Sequence, residues 1–219
     1  MQSSIYIYDV RIVFIILYFL VVPAYIISAQ ETRTYVGQEH FFKLTITKDS
    51  TSTDCSVLSI DVFRNGDSML IQKIIPRENW FYCDGGQEYL FFIEDMNFDG
   101  TEDIRMMQFL PASPNIPYYY WIFDIKENQY VADTTLEIIT SPQFSKQDQS
   151  IYSSWRANCC DHGMSTYKYI NGLITLVKEA EIYDDPEHSD QTIFTERKLI
   201  NGKMQFVKRK VEKKEMEDK

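Results

Sequence analysis

The stretch YINGLITLVKE (residues 169–179) returns thirty residues later as LINGKMQFVKR (residues 199–209). Ile, Asn, Gly, Val and Lys recur at matching places. Each copy is built around Asn-Gly, a pair that tolerates the positive φ of a tight hairpin turn. Two origins fit: a true internal repeat, or two hairpins of similar geometry that select similar residues. Either way, successive antiparallel hairpins point to a meander, as in a propeller or propeller-like sheet array, rather than to an α/β fold.

Upstream, the same pattern recurs. HFFKLTI (residues 40–46) alternates between apolar and polar positions. SVLSIDVF, RNGD and SMLIQKII follow as strand, turn and strand, turning at Asn65-Gly66. QEYLFFIE (residues 87–94) leads into an acidic loop and DIRMMQFL (residues 103–110) leads out of it. YYYWIFDIKENQYVAD is another hairpin, turning at residues 126–128. DTTLEIITSPQF has room for one short helical turn, and no long helical period occurs after residue 30. The expected fold is all-β, an antiparallel hairpin meander that is β-propeller-like over residues 30–211. VKRKVEKKEMEDK reads as a last strand fraying into a charged, solvated tail over residues 212–219.

Composition agrees. A chain of 219 residues suits one domain with appendages, and 44% apolar residues suffice for a core. The 15 Tyr and 14 Phe favour strands. A net charge of -10 disfavours nucleic acid and anionic lipid and attracts basic partners.

RIVFIILYFLVVPAYIISA (residues 11–29) is almost wholly apolar and ends in small residues. Residues 1–29 are expected to be a secretory signal cut before Gln30. An uncleaved anchor is the alternative, and only then does the protein meet a membrane. Both readings put the body outside the cytoplasm, either periplasmic or extracellular, or anchored and facing outward. No cysteine ends the apolar run, so a lipoprotein is not expected. The four cysteines, Cys55, Cys83, Cys159 and Cys160, allow three pairings in an oxidising compartment. Cys55–Cys83 is favoured because both lie in the N-terminal β region; a bridge between neighbouring Cys159 and Cys160 would be strained.

The acidic loop is DMNFDGTED (residues 95–103). Numbered from Asp95, it puts Asp95, Asn97 and Asp99 at positions 1, 3 and 5. Gly100 is at 6, Thr101 at 7 and Asp103 at 9. Calcium takes six to eight hard oxygens, and this alternation supplies them from one turn. Thr101 would offer its backbone carbonyl, and Asp103 would bind directly or through a water. An EF-hand has a bidentate Glu at position 12, where this chain has Met106. The flanks are also strand-like. The expectation is an EF-hand-like calcium loop between two strands, its last ligand being water or a residue from elsewhere. Affinity would then be of the order of 10⁻⁴ to 10⁻³ M. The plainer alternative is an Asx-type turn. The ion's expected role is structural, clamping a strand-to-strand corner.

FFIEDMNFDGTEDIRMM, PYYYWIFDIKENQYV, TLEIITSPQFSKQDQSI and STYKYINGLITLVKEAEI follow one another in the chain. In that order they resemble secreted bacterial proteins related to periplasmic lysozyme inhibitors. These are calcium-binding, propeller-like immunity proteins against lysozyme-like effectors of rival bacteria. The resemblance spans roughly residues 89–182. It implies a propeller-like fold, periplasmic residence and a bound Ca²⁺ on Asp95, Asn97, Asp99, Thr101 and Asp103. No inhibitor motif carries over.

Other stretches have plainer readings. CCDH (residues 159–162) lacks the spacing of a zinc site, and a nucleophilic Cys with His162 is the less expected reading. PYYYW (residues 117–121) suits a strand with rings on both faces better than a sugar platform. YDDPEHSD (residues 183–190) reads as an exposed loop, and His40 and His188 receive no role.

The function expected from this reading is a protein-binding module, an inhibitor of a basic, lysozyme-like cell-wall hydrolase. The alternative is a structural or adhesive cell-surface module that holds calcium for stability. An enzyme is not expected, because no nucleophile, base and orienting group share a motif.

Overall fold

The computed structural model describes residues 30–49, 51–66 and 68–213. Residues 1–29, expected to be a targeting segment, and the end of the expected charged tail lie outside the described residues. Within them, strands form three antiparallel sheets. The first contains β1 (Gln30–Val36), β2 (His40–Lys48), β3 (Asp54–Arg64) and β4 (Leu70–Ile74), with β5 (Phe81–Tyr82) paired to the start of β3. The second contains β6 (Phe91–Glu94), β7 (Asp103–Met107), β8 (Tyr118–Asp124) and β9 (Gln129–Ala132). The third contains β10 (Pro142–Ser145), β11 (Ser150–Arg156), β12 (His162–Ile170), β13 (Leu173–Asp184), β14 (Gln191–Ile200) and β15 (Lys203–Lys213). Apart from β5, which returns to pair with β3, the strands of each sheet follow one another in chain order, and no closed barrel or propeller is seen among the described residues. The expected helical turn is the 3₁₀ segment Thr134–Ile138. No helix among the described residues is long and apolar enough to cross a membrane.

The alternation in β2 sorts its side chains. Phe42, Leu44 and Ile46 are buried, while Phe41 on the other face stacks on Phe63 at 4.9 Å. In the second sheet alternation gives way to burial on both faces. Every residue of β7 is buried, and Tyr118, Tyr119, Tyr120 and Trp121 of β8 are too. Tyr118 meets Tyr120 and Tyr119 meets Trp121, each pair two residues apart and so on one face. These four rings are core, so this stretch is not an exposed platform for sugars. Tyr35 and Phe42 of the first sheet pack on Phe91 of the second at 4.9 and 5.4 Å.

The echoed hairpins match in detail. Asn171 and Gly172 have φ of 52° and 77°, and Asn201 and Gly202 have 50° and 75°. In the first, Tyr167 pairs with Leu176 and Thr166 with Lys178, leaving Val177 as the extra residue of a bulge. In the second, Arg197 pairs with Phe206 and Glu196 with Lys208, leaving Val207. The two valines are the recurring Val of the sequence match. The shared residues therefore encode the turn and the bulge together. β15 runs on to Lys213 and so takes in the first two residues of the expected tail.

Cys55 and Cys83 form a disulfide with Cα atoms 5.1 Å apart, the favoured pairing. Cys159 and Cys160 are unbridged.

Candidate metal-binding loop

The acidic loop joins β6 to β7, so strands flank it as expected. Gly100 has φ 95°, a backbone state that a side chain would strain. Phe98 also turns left-handed, at φ 63°. Asn97 Oδ1 accepts from the Asp99 N–H at 3.0 Å. Asn97 Nδ2 donates to Asp99 Oδ2 at 2.8 Å. The Thr101 N–H and hydroxyl both donate to Asp99 Oδ1, at 2.8 and 2.5 Å. Burial works against the Asp99 charge, yet these donors hold its carboxyl below the ordinary value.

Asp103 and Asp95 are both buried but differ in their partners. Asp103 Oδ2 accepts from the Met96 N–H at 2.8 Å and Oδ1 from the Phe123 N–H at 2.9 Å. It staples the loop to β8. Burial pushes its carboxyl up to about 6, opposed by those two donors. Asp95 is 5% exposed. Its Oδ2 accepts from the Gly100 N–H at 3.1 Å and faces Lys146 Nζ at 3.3 Å. Its Oδ1 is buried with no hydrogen-bond partner. A buried carboxylate oxygen without a protein partner is costly, and a cation or an ordered water would satisfy it. On that observation the loop fits a hard divalent ion. Among the described residues no three His, Cys, Asp or Glu side chains converge as a ready-made cluster. The ligand set expected here would therefore lean on the Asn97 amide and the Thr101 carbonyl as well as on Asp95 and Asp99.

The loop also touches both other sheets. Glu102 Oε2 accepts from the Gln38 N–H at 2.7 Å, latching the β1–β2 turn. A Cβ on Gly37 would lie 2.5 Å from that oxygen, so glycine keeps the latch open. Phe98 reaches the third sheet, its ring 6.4 Å from Phe144 and 6.5 Å from Tyr169. Lys146, in the β10–β11 turn, completes that side. Neither Glu102 nor Phe98 stands out in the sequence: Gln38 lies 64 residues from Glu102, and only the packed sheets bring them together.

Beside the loop lies a cleft of about 530 Å³. Asp99, Asp124 and Asp133 supply negative charge and Lys126 a positive one, while Ile122, Val131 and Tyr169 supply apolar wall. The Tyr169 hydroxyl is buried without a partner. Burial, and then the charge of Asp133, raise its pKa.

His40 has a structural role that the sequence conceals. It is buried, with Nδ1 3.1 Å from the Tyr130 hydroxyl and its ring against Phe123. Burial lowers its pKa, with Glu39 opposing. Protons therefore bind the unfolded chain more tightly than the folded one. The stability this preserves is present above the unfolded His value of about 6.5 and is lost as pH falls through the lower folded value. His40→Gln should flatten that part of the stability–pH curve, as followed by urea unfolding between about pH 7 and pH 5. An unchanged slope would assign the acid loss to other groups.

Arg105 is also buried, within β7. Its Nε donates to Glu94 Oε1 at 2.7 Å, and its guanidinium lies 3.9 Å from the Phe92 ring centroid and 4.4 Å from that of Tyr118. His162 turns Nδ1 to the Cys160 carbonyl at 2.9 Å, a backbone contact. Residues 186–190 form an exposed loop, capped where Asp185 accepts from the Glu187 and His188 N–H groups.

No family model matches this sequence. No curated protein matches it either. A solved structure described as "Structure of a Xanthomonas Type IV Secretion System related protein" is similar in fold, with a TM-score of 0.59 at 17% sequence identity. The likeness covers 83% of this chain and 98% of that one. The chain therefore shares its fold with that Xanthomonas protein over most of the length of both.

Proposed function

We propose that this is a secreted calcium-binding module that binds and inhibits a lysozyme-like cell-wall hydrolase, as an immunity protein does. The observation that carries the reading is the continuity of the acidic loop with the cleft beside it. Asn97 and Asp99 belong to both, and Asp124 and Asp133 extend a surface that stays net negative beside the one lysine of its lining, Lys126. Lysozyme-like hydrolases are commonly basic, and such a surface steers a basic partner and fits its Lys or Arg side chains. The secretion-system description of the Xanthomonas structure supports this setting. We read the three successive meanders as blade-like sheets of a propeller-like array, and residues 1–29 as the export signal.

Calcium would be held by Asp95, Asn97 and Asp99, by the Thr101 carbonyl, and by Asp103 through a water. It supplies positive charge where Asp95 Oδ1 lacks a partner. The chain's own groups do the rest. Glu102 fixes the loop to the first sheet and Phe98 to the third, so order in the loop extends to the cleft wall at Tyr169.

The test is a cell-wall lysis assay with a panel of lysozyme-like hydrolases, in calcium and in chelator. Inhibition in calcium that weakens in chelator is the expected result. No inhibition of any hydrolase by excess protein in calcium would refute the reading. It would favour a cell-surface module that holds calcium for stability.

A further inference from the structure

The β11–β12 turn presents two thiols side by side. With Cys55 and Cys83 joined to each other, Cys159 and Cys160 are the remaining cysteines of the chain. Their sulfur atoms lie 3.0 Å apart, inside the roughly 3.5–4.0 Å at which even carbon atoms pack. The backbone around them is pinned. Asn158 Oδ1 accepts from the Cys160 and Asp161 N–H groups at 2.8 and 2.7 Å. The Ala157 N–H closes the turn on the Asp161 carbonyl at 2.9 Å. Asp161 Oδ1 accepts from the Asp184 N–H at 3.1 Å, tying the turn to β13. Cys159 is exposed and Cys160 half-buried.

We propose that Cys159 and Cys160 close a disulfide with each other, making this turn a redox-modified site. The oxidant is an external disulfide, on a thiol-oxidising protein or a small molecule. Cys159, the more accessible sulfur, loses its proton to water and attacks one sulfur of that disulfide, releasing the other as a thiolate. Cys160 then loses its proton and attacks the Cys159 sulfur, and the second external thiolate leaves. Two protein thiols are oxidised, one S–S bond forms, and the external disulfide is reduced to two thiols. The Cys160 thiol is pushed up chiefly by Cys159 beside it, then by burial and the nearby Asp184, and the greater exposure of Cys159 makes it the first to meet the oxidant. Cα atoms of adjacent residues sit about 3.8 Å apart across a trans peptide, short of the roughly 4.4–6.8 Å usual for a disulfide. The bridge therefore carries strain and reduces more readily than Cys55–Cys83.

The experiment uses the full chain, equilibrated across a series of oxidised and reduced glutathione, alkylated with iodoacetamide and digested with trypsin without reductant. Cleavage after Arg156 and Lys168 leaves both cysteines in one peptide. In oxidised glutathione that peptide is expected unalkylated and lighter by two hydrogens. As reduced glutathione rises, it should gain two alkyl groups before Cys55 and Cys83 gain any. Cys159→Ser, which cannot close the ring, should carry one glutathione on Cys160. Three results would each overturn the proposal while Cys55–Cys83 remains intact in oxidised glutathione: a doubly alkylated wild-type peptide, glutathione adducts on it, or a covalent dimer through it.

Discussion

On the proposed reading calcium raises the melting temperature of the wild type, and Asp95→Ala is expected to abolish that rise while leaving the chelated protein close to wild type. At a calcium concentration about 100 times Kd, one site stabilises the fold by about 2.7 kcal/mol. For a domain of this size that corresponds to roughly 5–10 °C. Asp95 supplies the buried oxygen that has no protein partner, so its removal takes away the group that most needs the ion. Without calcium, the same change relieves an unpaired buried oxygen and gives up the Gly100 hydrogen bond. It also gives up the Lys146 contact, where the lysine side chain is 71% exposed and the pair adds little. These changes oppose one another and should leave a net effect within about 1 kcal/mol. Scanning calorimetry in calcium at about 100 times Kd, roughly 10–100 mM at the expected affinity, and in EDTA checks both halves. If the variant keeps the calcium shift, Asp95 is not a ligand. If the wild type shows no shift, the ion reading falls altogether.

Phe42→Ala should cost about 3–5 kcal/mol. Phe42 is fully buried in β2, with its ring 5.4 Å from Phe91 and 5.5 Å from Tyr130. Both partners belong to the second sheet, so the cavity would open where the first two sheets share their core. Tyr130 is held at its ends as well. Its backbone exchanges hydrogen bonds with the Gln72 side chain at 2.8 and 2.9 Å, and its hydroxyl meets His40. That anchoring limits how far the site can collapse to fill the gap, which places the cost towards the upper end. Phe206→Ala is the matched control. Phe206 is 69% exposed on β15, and its loss should change stability by no more than about 0.5 kcal/mol. Urea denaturation of both variants gives the comparison. A Phe42→Ala cost below about 1 kcal/mol would show that the first two sheets do not depend on this contact.

Much of the architecture was legible in the residues because it is local. Asn171-Gly172 and Asn201-Gly202 set their turns through neighbouring φ angles, and Val177 and Val207 fall at equivalent bulges. The strand flanks of the acidic loop and the 3₁₀ turn after Asp133 were equally readable, being governed by spacings of a few residues. Within the loop, alternating oxygens and Gly100 singled out Asp95, Asn97, Asp99, Thr101 and Asp103 as a group. The residues could not rank them. Asp95 and Asp103 look alike in sequence. Only the packed β8 gives Asp103 a second backbone donor, from Phe123, while Asp95 Oδ1 stays unpaired.

The sequence by itself determined most of the strand-and-turn grammar, the Asn-Gly reversals and the place where acidic oxygens gather, but not β1, β5, β10 or β11, which carry no comparable turn signal. Tertiary structure decided what the loop is attached to. Glu102 finds Gln38 across 64 residues and His40 finds Tyr130 across 90, while Phe98 crosses to the third sheet. The physical reason is range. Turn and strand preferences act over a few bonds, whereas contact between sheets is set by burying apolar faces whose sequence separation carries no pattern.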